Sequence, residues 1–163
     1  MPTIAALLTR RAADDLLTLL RSIPDERLLW KPSESNLTVL GQLRECAIVN
    51  QNWAITITER GFPVGSPDSR ELRSFIDALS ETREGCTDGI ERSTEALVAA
   101  INGVSEEDTD LRINIDTLRP GTITLAEACL YSYWHMVYHE GQINFLQASY
   151  GDAAHYHDYH VQG

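Results

Sequence analysis

The sequence predicts an all-α fold, a four-helix bundle with a short β-hairpin before the last long helix, and three observations predict it. Apolar residues recur at three- and four-residue spacings over four long stretches. Breaks rich in Gly, Pro and acidic residues separate those stretches. One short run, Leu111-Arg112-Ile113-Asn114-Ile115, alternates apolar and polar residues instead. The 163 residues fit one domain, with the bundle in residues 1–150 and a tail in 151–163. A chain of that size buries roughly 70% of its unfolded surface, enough for a core without staples.

The first helix is expected from Thr3, a candidate N-cap, to about Arg21, with Ile4, Leu7, Leu8, Ala12, Leu16, Leu19 and Leu20 as its apolar stripe. Pro24 and Asp25-Glu26-Arg27 end it, and Pro32 biases Lys31 away from helix, so Trp30 is placed to plug the bundle end. A second helix is expected from Asn36 or Thr38 to about Arg60, carrying Leu40, Leu43, Ala47, Ile48, Trp53 and Ile55. Gly61 to Asp68 reads as a loop, with Asp68 or Ser69 capping a third helix from about Arg70 to Ala100 that Gly85 and Gly89 weaken and can bend. The alternating run pairs with Thr122-Ile123-Thr124 across Arg119-Pro120-Gly121 as a hairpin. The last helix starts near Thr124 and fades beyond Ala148, with Leu125, Ala128, Cys129, Ser132, Met136, Ile143 and Leu146 on its inner side.

Charge and cysteine content exclude several function classes. A net charge of -11 and a single lysine, Lys31, argue against nucleic acid, because phosphate binding needs clustered cations. No window of about 18 unbroken apolar residues is present to span a bilayer, so no membrane partner is expected. Cys46, Cys86 and Cys129 are too few and too scattered for a disulfide framework, and no signal peptide is evident. A reducing cytoplasm is the expected compartment.

Chemistry concentrates in Trp134-His135-Met136-Val137-Tyr138-His139-Glu140-Gly141-Gln142. Four-residue spacing stacks His135 and His139 on one helical face, where two imidazoles can grip one transition metal. The protease reading of such a pair fails, because Met136 follows His135 where a general-base Glu would stand. Alone, the pair is equally a hydrogen-bonded core feature. On the second helix Glu45 shares a stripe with Gly41, Ile48, Asn52 and Ile55, so its carboxylate is expected to face inward and to need a partner.

The order of elements, Trp30-Lys31-Pro32 before helix 2, the run from Leu37 to Ala47 and the stretch from His135 to Ile143 together resemble the DinB/YfiT-like superfamily. The histidine followed by Glu140-Gly141-Gln142-Ile143 is the most specific part, and the likeness covers nearly the whole chain. The resemblance implies a four-helix bundle in which one histidine on helix 2 joins two on the last helix around a divalent metal, usually zinc or nickel, with positions open for water or substrate. Here the position matching the helix 2 histidine is Glu45. A carboxylate is a legitimate third ligand, so the expected metal site is Glu45, His135 and His139, with zinc or nickel first and iron or manganese as harder alternatives. Cys46 is a reserve ligand, but it stands about 100° around the helix from Glu45, so both cannot point straight at one ion, and it is expected in the core. The plain alternative is a carboxylate hydrogen-bonded to a histidine with no metal.

The same resemblance implies a metalloenzyme of thiol S-transferase or hydrolase type acting on a small molecule, such as a low-molecular-weight thiol, and a homodimer. The rival expectation is a metal-free bundle that serves binding or dimerisation. The tail His155-Tyr156-His157-Asp158-Tyr159-His160 is expected to be a bland terminus, with His155 or His157 as the residue to approach the site if any does. Gln142 is expected as a polar helix contact, and Trp53, Tyr131 and Tyr138 could line a pocket but are expected first as core.

Overall fold

The computed structural model describes residues 2–61, 70–115 and 121–152, with the side chain of Pro2 left aside. The tail histidines, the caps expected at Asp68 or Ser69 and most of the hairpin turn lie outside the described residues. Five helices and two short strands follow in the order α1 (Pro2–Ser22), α2 (Val39–Glu59), α3 (Arg70–Ala78), α4 (Arg83–Asn102), β1 (Arg112–Asn114), β2 (Thr122–Thr124) and α5 (Leu125–Ser149). The four long helices form a ring in which α1 packs on α4, α4 on α2, α2 on α5 and α5 on α1. This is the all-α bundle with a hairpin before the last helix that the sequence predicts.

Local chemistry explains where the helices start. The Thr38 hydroxyl accepts from the Gly41 amide and caps α2. At α5, Thr124 and Glu127 form a reciprocal capping box, which satisfies two otherwise orphaned donors. The next two amides of α5 are taken by the loop before β1, Leu125 N–H by the Leu111 carbonyl and Ala126 N–H by that of Thr109. The hairpin, in which Ile113 faces Ile123, thereby sets the start of the helix that carries both histidines.

Three expectations about helices need correction. Helix α1 begins at Pro2, so Thr3 lies inside its first turn and is not the cap. Ile4 and Leu7 are exposed; the buried stripe near them runs through Ala5, Ala6 and Thr9, small residues that let α1 approach its neighbours closely. The expected third helix is two, α3 and α4, broken at Leu79-Ser80-Glu81-Thr82 with Thr82 capping α4 through the Gly85 amide. The glycines do not bend a helix; they admit this crossing. A Cβ on Gly85 would meet the Ser80 side chain, and one on Gly89 would meet Leu79. Trp30 packs on the core edge-to-face with Tyr150, at 5.7 Å between ring centroids, as a plug would.

The core has two apolar halves. One contains Leu16, Leu20, Leu43, Cys46, Ile90, Met136 and Ile143, and the other Ala5, Trp53, Ile57, Leu97, Ile101, Leu125 and Cys129. Every long helix also buries polar residues, among them Thr9 from α1, Asn50 from α2, Ser93 and Thr94 from α4, and Ser132 from α5. The Asn50 amide lies 3.4 Å from both the Thr94 hydroxyl and the Met136 sulfur. Among the described residues Thr9 Oγ1, Asn50 Oδ1 and Ser132 Oγ have no hydrogen-bond partner, so these are places where internal water would be held.

Candidate metal centre

The site forms where α5 crosses α2. His135 and His139, one turn apart on α5, bring their Nε2 atoms to 3.3 Å from each other. His139 is 4% exposed. On α2, Gln42, Glu45 and Cys46 stand at i, i+3 and i+4, so all three face the same crossing. The Gln42 side-chain oxygen sits 3.2 Å from His139 Nδ1. An amide oxygen only accepts, so Nδ1 carries the proton and the Nε2 lone pair of His139 points at His135. Glu45 straddles the pair, one oxygen 3.9 Å from His135 Nε2 and the other 3.9 Å from His139 Nε2.

Electrostatics keep both rings neutral. Burial, helped by the neighbouring ring of His139, pushes His135 down to about 4. Burial also lowers His139, against an opposing pull from the Glu45 carboxylate. At neutral pH the 3.9 Å approaches of Glu45 are therefore not ion pairs. They set an anion beside two imidazoles that each offer a lone pair, the donor chemistry of a borderline divalent metal.

Of the three expected ligands, His135 and His139 meet, and Glu45 stands beside them with a different carboxylate oxygen 3.9 Å from each ring. A tetrahedral ion with bonds of about 2.0 to 2.1 Å places its nitrogen donors about 3.3 Å apart, which is the separation the two rings already have. No single carboxylate oxygen sits at ligand distance from both rings, so Glu45 would have to swing inward to share an ion with them, which its 45% side-chain exposure leaves room for. His135 Nδ1 is buried without a partner among the described residues. Glu45 is thus at the rim of the site and not in the interior, as its stripe had suggested.

Sequence reasoning missed Gln42 and held Cys46 only as a reserve ligand expected in the core. Cys46 is fully buried, as expected of a core residue, yet its Sγ and one ring nitrogen of each histidine all lie within 4.8 Å of one another. Burial holds its thiol well above the usual range. The 100° that separates Glu45 from Cys46 does not exclude either, because the crossing lies between them, over Gln42. Gln42 was legible only as the first member of that i, i+3, i+4 set.

A cavity of about 640 Å³ opens over the site. Glu45, His135 and His139 line it together with Leu37, Tyr138, Gln142 and Phe145, and no Lys or Arg is among its described lining residues. Tyr138, expected in the core, is exposed at its edge and accepts from the Gln142 side-chain amide at 2.9 Å. Trp53 and Tyr131 do stack in the core, at 4.6 Å between centroids.

Comparison with known proteins agrees with this architecture. A family model described as the DinB family matches residues 6–162. The chain belongs to the DinB family. The crystal structure of the DinB-like protein YjoA from Bacillus subtilis superposes with a TM-score of 0.69 over 90% of this chain and 92% of that one, at 15% identity. At that identity the likeness shows the DinB-like fold alone. No curated protein sequence matches. No helix among the described residues is long and apolar enough to cross a membrane.

Proposed function

We propose that this DinB-family chain is a metal-dependent enzyme in which Glu45, His135 and His139 hold one divalent ion at the floor of the cavity. The observation that carries the reading is the 3.3 Å spacing of two neutral imidazole nitrogens under a bracketing carboxylate. Zinc or nickel suits the two imidazoles, and the Glu45 oxygen also admits iron or manganese. A dication at this point supplies Lewis acidity that lowers the pKa of a bound thiol or water.

The chain's own groups do the rest. Gln42 holds the Nδ1 proton of His139 and so fixes which nitrogen faces the ion. Glu45, ligating through one oxygen, keeps the other as an acceptor for the proton that an activated thiol or water gives up. Leu37, Tyr138 and Phe145 offer apolar surface to a small-molecule substrate, and the lack of cationic lining disfavours a substrate carrying several anionic groups. The reaction class is thiol transfer or hydrolysis.

A homodimer is part of the same reading. Its support is the outer face of α5, where Leu130, Trp134, Val137, Tyr138 and Phe145 are exposed at spacings that return to one face of the helix. A helix apolar on both sides is one that a larger assembly covers.

Elemental analysis of protein purified without a His tag tests the metal. Close to one equivalent of a transition metal, lost in the His135→Ala variant, is expected. Less than about a tenth of an equivalent, with none taken up on titration, would sink the enzyme reading and leave a metal-free binding bundle.

A further inference from the structure

We propose that Cys46 supplies a fourth protein donor, a thiolate, to the ion assigned above to Glu45, His135 and His139, with the bound thiol or water taking a fifth position. The inference rests on that reading and deepens it. Its basis is placement: Cys46 Sγ lies with a ring nitrogen of each histidine inside a 4.8 Å cluster, reached from the bundle interior, while Glu45 reaches the same pair from the cavity rim. The two acidic donors thus flank the histidine pair from either side of the Gln42 line. A sulfur at about 2.3 Å and nitrogens at about 2.0 Å from one ion would stand about 3.5 Å apart, so the helices need not be rebuilt for Sγ to join.

Charge supports the same donor set. A dication held by two neutral imidazoles and one carboxylate keeps one positive charge beside the buried apolar cluster that Cys46 shares with Leu43 and Met136. A thiolate at Cys46 cancels it, which removes the cost of burying a net charge. On binding, the S–H proton leaves to solvent and the sulfur lone pair forms the bond to the metal. No oxidant or reductant is involved. The donor change also sets selectivity: one soft sulfur favours zinc, nickel or cobalt over manganese, resolving the choice that two histidines and a glutamate leave open.

Cobalt(II) provides the test, because sulfur-to-cobalt charge transfer gives an intense near-ultraviolet band that nitrogen and oxygen donors do not. The intact protein is titrated with Co(II), and so are Cys46→Ser and a control in which Cys86 and Cys129 are both replaced by Ala. The expected result is the band in wild type and control and its loss in Cys46→Ser, with visible d–d bands retained there. Cobalt bound by wild type without the charge-transfer band overturns the thiolate and leaves the Glu45 site standing. A band that survives in folded Cys46→Ser also overturns it. Failure of wild type to take up cobalt, zinc or nickel overturns the metal reading itself. If Cys46→Ser does not fold, the wild-type spectrum and the control decide alone.

Discussion

The side-chain oxygen of Gln42 on α2 takes the Nδ1 proton of His139 on α5, at 3.2 Å, across the helix pair that builds the site. This one bond decides that His139 offers Nε2 and not Nδ1 to whatever lies beside His135. Gln42→Leu removes the acceptor and frees the ring to change tautomer. Metal affinity is expected to fall about 10- to 100-fold, as for other residues that orient a ligating histidine. Competition with a chromophoric chelator measures it, and Gln42→Glu, which keeps an acceptor, is expected to bind nearer to wild type.

Acid is expected to unfold the metal-free protein early. The unfolded chain protonates His135 at the ordinary imidazole value, near 6.5, whereas the folded chain does so only at about 4. Between those values the unfolded state binds more protons, so stability is fully present above about pH 6.5 and falls as the pH drops towards 4. His139 is lowered in the same direction, while Glu45, the carboxylate that faces both rings, opposes the effect on His139. A loss on the order of 2 kcal/mol, discounted for the partial exposure of His135, is expected from urea titrations at pH 7 and pH 4.5. His135→Gln should flatten that dependence; an unchanged slope would count against the neutral-ring description.

The capping box at Thr124 and Glu127 begins the helix that carries both histidines. Thr124→Ala is expected to cost about 1 kcal/mol of stability in chemical denaturation. The site lies about three turns further along α5, so metal stoichiometry should not change.

Self-association should map to the outer face of α5. Trp134, at 63% exposure, sits one position before His135, about 100° around the helix from it. Trp134→Glu is expected to convert a dimer to a monomer in light scattering while leaving helix content intact. A wild-type protein that is monomeric at high concentration would remove the dimer from the proposed function.

Much of this was legible in the sequence, and the exceptions have physical reasons. Periodicity identified the four long helices because their apolar stripes face one core, and the seven inner residues expected on α5 are all buried. It failed at Ile4 and Leu7, because an apolar residue is not obliged to face inward when alanines permit a closer contact on another face. It joined α3 to α4, because the break at Leu79–Thr82 depends on where Ser80 and Leu79 cross the two glycines, a tertiary fact. Histidine spacing marked His135 and His139, and the family resemblance supplied Glu45. Gln42 became visible, and Cys46 moved from reserve ligand to the histidine cluster, only when α5 was laid across α2, since nothing in a helical wheel says which line of one helix another will cross.

The buried polar side chains of the core bear on the site in another way. Polar side chains are buried at several places along the helices, and at one of them Asn50 joins α2 to Thr94 on α4 and Met136 on α5 at a single height in the bundle. Sliding one of these three helices by a turn would push a polar group into hydrocarbon on one side and strand the others. The contacts of Asn50 therefore act as a vernier for the bundle, and the Asn50–Met136 contact joins the same two helices, α2 and α5, one turn from Cys46 and one residue from His135. The height at which Glu45 and Cys46 meet the two imidazoles is thus indexed by residues that take no part in the chemistry.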